Sequence, residues 1–141
     1  MTEKAARRTF ESLEVGESAQ ISRRIEAKDI DAFAALSGDH NPLHVSDEYG
    51  SRTPFGKRVV HGMFLGALVS QLVGMQLPGE SALLVKETLQ FVKPVHIGDT
   101  VDVSARVASK SVATCILEIE IVISVLGDTV ATGVVHVLVR E

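Results

Sequence analysis

From Leu83 onward the chain consists of four segments rich in Val, Ile and Thr, divided by turn residues. They cover residues 83–92, 100–108, 113–125 and 129–139. β-Branched side chains are stiff at χ1 and suit a pleated strand. The separators are Pro94 and Gly98-Asp99, then Ser109 to Ser111, then Gly127-Asp128. Turns this short join neighbouring strands antiparallel. In the third segment Leu117, Ile119 and Ile121 alternate with Glu118 and Glu120. That pattern gives one dry face and one wet face. Something apolar must cover the dry face.

The first half supplies it. Residues 59–77 form the longest apolar stretch. Its length raises a membrane-spanning reading. However, His61, Ser70, Gln71 and Gln76 lie within it, and polar groups are costly in lipid. No membrane association is expected, and residues 61–75 read as a helix of a soluble core, ended by Leu77-Pro78-Gly79. Gly62, Gly66, Ala67, Ser70 and Gly74 recur at spacings of three and four, which makes a flat helical face. Residues 18–25 alternate loosely and read as a first strand. Residues 27–37 read as a helix, with Ile30, Phe33, Ala34 and Leu36 near helical spacing and Gly38 as the stop. Ser46 is placed to cap a short helical turn through Tyr49. The expected architecture is α+β, with a sheet wrapped around, or packed on, one unusually apolar helix. The 141 residues suit a single domain over 1–141, with its core at about 10–139.

Composition narrows the function. Aromatic residues are 4% of the chain, so the core must be mostly Val, Leu, Ile and Ala. The net charge of −4 argues against a nucleic-acid partner, which needs clustered Lys and Arg. The one cysteine, Cys115, allows no intrachain disulfide and sits in a strand pattern as a small hydrophobe. No apolar leader follows residues 1–9, and a cytoplasmic location is expected. There is no GxGxxG, no GxxxxGK[ST] and no GxSxG, so neither a nucleotide cofactor nor a nucleophile elbow is indicated.

The chemistry concentrates in the run Ser37-Gly38-Asp39-His40-Asn41-Pro42-Leu43-His44. Asp39 and His44 lie five apart in a loop that Pro42 stiffens. A carboxylate and an imidazole held this way can share one water. His exchanges a proton near neutral pH. An aspartate sunk in an apolar wall can serve as an acid. Asn41 can hold the loop or the water by hydrogen bonds. Plainer readings stand beside these. Asp39 can be an Asx-turn residue, and His44 a half-buried loop histidine. A metal held by Asp39, His40 and His44 would need His61 to complete it, and no spacing demands that. Gly62, at a helix start, offers an outward N–H with partial positive charge that could stabilise an oxyanion, or it simply allows tight packing. His61 reads as a structural residue bonding the loop. His96 and His136 have no evident partner.

The run Phe33-Ala34-Ala35-Leu36-Ser37-Gly38-Asp39-His40-Asn41-Pro42-Leu43-His44 resembles the signature of the MaoC-like, (R)-specific enoyl-CoA hydratase and dehydratase family. Arg58-Val59-Val60-His61-Gly62-Met63 is similar to the start of that family's central helix. Phe91-Val92-Lys93-Pro94-Val95-His96-Ile97-Gly98-Asp99 is similar to its following strand–turn–strand. One departure is Gly50, six residues after His44, where the family pattern has Ala or Ser. The resemblance implies a hotdog fold, a long central helix wrapped by an antiparallel sheet. It implies reversible hydration of a trans-2-enoyl-CoA to an (R)-3-hydroxyacyl-CoA. Gly62 would then hold the thioester carbonyl, His44 would be the base and Asp39 the acid, with the reverse assignment open. Coenzyme A is part of the substrate, and no separate cofactor or metal is expected. Arg52, Lys57 and Arg58 are candidate contacts for its phosphates, or ordinary solvated surface.

Along the helix face that starts at Gly62, the resemblance leads us to expect the acyl tail. Gly66, Ser70 and Gly74 would leave a channel, and Leu65, Val69 and Val73 would wall it. The competing reading is that these small residues only let the sheet pack closely. A homodimer is expected, because a lone sheet leaves strand edges open. The alternatives of function are a 3-hydroxyacyl-acyl-carrier-protein dehydratase, a hotdog acyl-CoA thioesterase and a non-catalytic acyl-binding subunit. Chain length, carrier and pathway are not legible in the sequence.

Overall fold

Val101, Val103, Ala105 and Val107 lie at alternate positions of one strand, and all four are buried. Leu117, Ile119, Ile121 and Ile123 repeat the pattern on the next strand. Alternation of this kind defines one buried face of an antiparallel sheet. The computed structural model describes residues 2–141. Its strands are β1 (Ser18–Arg24), β2 (Ala82–Phe91), β3 (Thr100–Ser111), β4 (Ile116–Val125) and β5 (Asp128–Val139). They form one sheet in the order β1-β3-β4-β5-β2, with every neighbouring pair antiparallel. β1 and β2 are therefore its edges.

Four helices stand between β1 and β2: α1 (Ala27–Ser37), α2 (Pro42–Val45), α3 (Asp47–Ser51) and α4 (Gly62–Met75). α4 lays Phe64, Leu65, Leu68, Val69, Leu72 and Val73 into the core against the buried sheet face. Each such side chain contributes about 1.5–3 kcal/mol of burial. This interface therefore outweighs any single hydrogen bond in the molecule. The result is the α+β hotdog arrangement that the resemblance implies. No helix among the described residues is long and apolar enough to cross a membrane.

The expected elements are found, with shifted ends. α1 occupies the expected residues and stops at Gly38, whose φ of 79° is left-handed. Its N–H caps the helix on the Ala34 carbonyl at 2.9 Å. Ser46 caps α3 by accepting from the Tyr49 N–H. The loop before it is not wholly irregular, because Asn41 and Pro42 start α2. The β3–β4 turn is displaced from the expected Ser109–Ser111. β3 runs on to Ser111, and the turn occupies residues 112–115. Cys115 thus sits in a turn at φ 55°, partly buried, and not in a strand. An apolar run, Val112-Ala113, disguises that turn.

Candidate active site

α2 begins because Asn41 and Pro42 are suited to a helix start. Pro42 fits the first helical position, where no N–H is needed. The Asn41 Oδ1 accepts from the Leu43 N–H at 3.0 Å. Asn41 thus holds the loop. Two residues back, Asp39 Oδ1 accepts from the Asn41 N–H at 3.1 Å, an Asx-type turn. The turn and the chemistry are compatible, because the second carboxylate oxygen stays free. Oδ2 of Asp39 faces Nε2 of His44 at 3.9 Å. The Asp39 side chain is 51% exposed, so it is not sunk in an apolar wall.

His44 is fixed from three sides. Its Nδ1 lies 2.6 Å from the Val59 carbonyl. A carbonyl only accepts, so Nδ1 carries the proton and Nε2 presents a lone pair toward Asp39. Its own carbonyl accepts from Arg58 Nε at 2.6 Å. Its ring stacks on His61, with centroids 4.0 Å apart and planes 25° from parallel. Val59 is itself anchored: its N–H donates to the Leu43 carbonyl and it bridges to His96. His96 Nδ1 in turn donates to the Arg58 carbonyl at 2.8 Å. His96 is therefore structural. His136 lies far along the sheet, 3.7 Å from Glu118.

His61 immediately precedes α4 and is buried. Its Nε2 donates to the Asp39 main-chain carbonyl at 3.0 Å. Asp39, His44 and His61 bring donor-type atoms within 4.8 Å of one another. His40 is not in that group. Two imidazoles stacked face to face direct their in-plane lone pairs alongside each other, not at one point. A tetrahedral metal needs donors that converge. The arrangement suits a water between Asp39 and His44 better than an ion.

His44 and Gly62 open together on a cleft of about 370 Å³. Gly62 is the first residue of α4, so its N–H has no acceptor within the helix. The ring of Phe91 lies against it. A Cβ on Gly62 would stand 3.0 Å from Phe91 Cζ. Leu65, Phe55, Val92 and Lys93 also line the cleft. A larger cleft of about 720 Å³ lies between the N-terminal segment and the chain's end. It contains none of these residues, and its arginines Arg7 and Arg8 are paired with Glu80 and Glu17. Size does not identify the site here; convergent chemical groups do.

The structure brings His44, Gly62 and Leu65 to one cleft, with Asp39 3.9 Å from His44 and Asn41 holding the loop between them. It does not bring the other expected residues there. Val69 and Val73 are buried in the core behind Leu65. Gly66 is buried against Glu87, Leu89 and Met63. Ser70 is exposed on α4 and does not line the cleft. Arg52 and Lys57 are solvent-exposed, and Arg52 lies 3.8 Å from Glu48. Arg58 is 7% exposed and is committed to Asp31 at 2.9 Å and to His44, so it presents no free cation. Sequence reasoning missed Phe55, Phe91 and Lys93 as cleft residues, although Phe91 and Lys93 stand in the strand–turn run singled out for its resemblance. It also missed the stack of His61 on His44, since no spacing encodes two rings meeting across 17 residues.

Residues 11–128 match the MaoC like domain model. The chain is 43% identical over 99 residues to a 3-hydroxybutyryl-CoA dehydratase of Methylorubrum extorquens, covering 70% of this chain and 63% of that one. The chain thus spans less than two thirds of that relative. It is 36% identical over 130 residues to an (R)-specific enoyl-CoA hydratase of Rhodospirillum rubrum, covering 92% of this chain and 90% of that one. In structure it is similar to an unliganded R-hydratase from Pseudomonas aeruginosa, with TM-score 0.92, 32% identity, and 97% and 88% of the two chains covered.

Proposed function

The chain belongs to the MaoC-like domain family, and on that premise we propose that it is an (R)-specific enoyl-CoA hydratase. It adds water across the double bond of a trans-2-enoyl-CoA and runs the dehydration in reverse. One observation carries the reading: the Nε2 lone pair of His44 faces the Asp39 carboxylate at 3.9 Å, beside a cleft that also holds the Gly62 N–H. A gap of that size admits one bridging water.

The thioester carbonyl rests on the Gly62 N–H. Partial positive charge at the α4 N-terminus stabilises the enolate oxygen as it forms. His44 Nε2 takes a proton from the water, and the hydroxyl oxygen bonds to C3. The proton taken from the water passes along the pair, and Asp39 delivers it to C2. The pair ends in the state in which it began. One O–H bond of the water and the C2=C3 π bond break, and one C–O and one C–H bond form. Water is the only second reactant, so no separate cofactor is required. Coenzyme A is the carrier we favour, with Lys93 at the cleft and exposed Lys57 as cations for its phosphates.

The working unit is a homodimer. β2 is an edge strand, and it exposes Leu83, Val85 and Phe91 at 49%, 50% and 48%. An apolar open edge of this kind pairs with a second copy more readily than it stays in water. Light scattering at micromolar concentration should give twice the chain mass; a monomer would count against the edge argument.

Purified protein should remove the conjugated double bond of crotonyl-CoA, read as loss of its absorbance. Release of free thiol instead would make it a thioesterase. Binding of the acyl-CoA with neither change would make it a binding subunit. Either result overturns the proposal.

A further inference from the structure

His61 is placed in the fold in a way that helix capping does not explain. It precedes α4, yet its side chain caps nothing there. It is 2% exposed, and its Nδ1 is buried with no hydrogen-bond partner among the described residues. A buried polar atom left unpaired costs stability. A leucine or phenylalanine would fill the same space without that cost. What the imidazole offers in exchange is directed at the site. Nε2 donates to the main-chain carbonyl of Asp39 at 3.0 Å. The ring face lies on His44 at 4.0 Å. Its other contacts continue into the core: the Phe33 ring is 4.9 Å away, and Phe33 meets Phe64 edge-on at 5.7 Å. A column of four rings thus runs from the helix packing of α1 and α4 out to His44.

We propose that His61 is a positioning residue for this site, setting His44 through the ring stack and Asp39 through the backbone bond. The inference rests on the hydratase reading and deepens it. His61 touches no substrate atom. It transmits the fixed position of α4 to both members of the pair, and so sets the gap in which the water sits. The carbonyl of Asp39 selects the tautomer with the proton on Nε2. The Nδ1 lone pair is then the atom left bare, and its cost is the cost of using an imidazole at this position. A misplacement of about 1 Å at a reacting group lowers turnover on the order of a hundredfold. The two arms can be cut separately. His61→Phe keeps a ring for the stack and loses the bond to Asp39. His61→Gln keeps a donor for that bond and loses the ring.

The test is steady-state hydration of crotonyl-CoA by the full chain, with circular dichroism as the fold check. Each variant should lose about ten- to a hundredfold in kcat. KM should stay near the wild-type value, because nothing that binds substrate has been removed. The two arms should also show their separate routes. In a His44→Ala background, His61→Gln should cost no more than about twofold further. In an Asp39→Asn background, the same should hold for His61→Phe. Folded variants that keep wild-type kcat overturn the inference, as do losses that multiply in full on those backgrounds. If one variant does not fold, the other decides by the same criteria. Nitrogen-15 spectra of the wild-type histidine rings need no substitution. One fixed Nδ1–H tautomer for His44 and one fixed Nε2–H tautomer for His61 are expected, and exchange between tautomers at either ring overturns the inference. An inactive wild type would overturn the hydratase reading, and this inference with it. An active wild type with indifferent His61 variants would overturn this inference alone.

Discussion

Nε2 of His44 stands 3.9 Å from Oδ2 of Asp39, too far for a direct hydrogen bond and right for one water between them. Both side chains sit outside the core, one in a loop and one on the four-residue α2. Asp39→Asn and His44→Ala should therefore leave folding intact. Each should lower kcat on crotonyl-CoA by about 10²–10⁴-fold. Because the pair shares one water, the double variant should be little slower than the worse single. Wild-type turnover in both singles, with native circular dichroism, would remove the mechanism.

Gly62 and Phe91 are coupled. A methyl at residue 62 would meet the Phe91 ring at 3.0–3.2 Å, closer than carbon atoms pack. Phe91 is 48% exposed and lines the cleft, so a displaced ring can enter the cleft. Gly62→Ala should keep the N–H and still lower kcat/KM, by about tenfold or more, since substrate and ring compete for one space. Phe91→Ala added to it should recover part of the loss. A Phe91→Ala change that makes Gly62→Ala worse would show that the ring is not the obstacle.

Arg58 carries a different burden from the one its position in the sequence implied. Buried at 7%, it ties α1 to α2 through Asp31 and the His44 carbonyl. Arg58→Met should destabilise the fold by about 1–3 kcal/mol, the cost of lost charged hydrogen bonds. Thermal melting reads this directly. KM for the acyl-CoA should change less than it does in Lys93→Ala. The reverse order would return Arg58 to the phosphate-binding role.

Local periodicity carries part of this architecture in the sequence, and contacts between distant segments carry the rest. The alternation of Leu117 to Ile121 with glutamates fixes which face of β4 is dry, so the sheet and its covering helix follow from local periodicity. Asp39, Asn41 and His44 are legible because they share one loop, where spacing nearly determines geometry. Phe55 and Phe91 are not, because the cleft forms between segments far apart in sequence. Arg58 misleads for the same reason. A cation in a loop-rich stretch reads as solvated, and only the packing of α1 against α2 buries it. Cys115 fails through propensity: Val112-Ala113 suits a strand, and the β3–β4 register places the turn there regardless.

Glu87 gives a pH dependence with a definite sign. It faces α4 near Gly66, and its Oε1 is buried without a partner among the described residues. Burial pushes its carboxyl above the ordinary glutamate range. A carboxyl raised on folding holds its proton more tightly in the folded state. Its ionisation therefore costs stability as pH rises from the unfolded value through the folded one. Glu87→Gln should raise the melting temperature at pH 7, and the gain should fade below about pH 4, where the wild-type carboxyl is also neutral in both states. A gain equal at both pH values would assign the effect to packing and not to charge.

Chain-length preference should be set at Leu65, and beyond it at Val73, but not at Ser70. Leu65 lines the cleft beside Gly62. Val69 and Val73 follow at intervals of four on the same helical face, both buried behind it. A tail that enters past Gly62 meets Leu65 first. Leu65→Ala removes that wall, and Val73→Ala deepens the space behind it. Both should raise the rate on an eight-carbon enoyl-CoA relative to the four-carbon one. Each newly buried methylene contributes about 0.8 kcal/mol, or roughly a fourfold change in that ratio. The larger effect belongs to Leu65, because its side chain is the one in contact with the cleft. Ser70 is exposed and does not line the cleft, so Ser70→Leu should leave the ratio unchanged within one copy of the chain. If Ser70→Leu instead shifts the ratio while Leu65→Ala does not, the tail runs along the outer face of α4. That face would then have to be closed by the second copy.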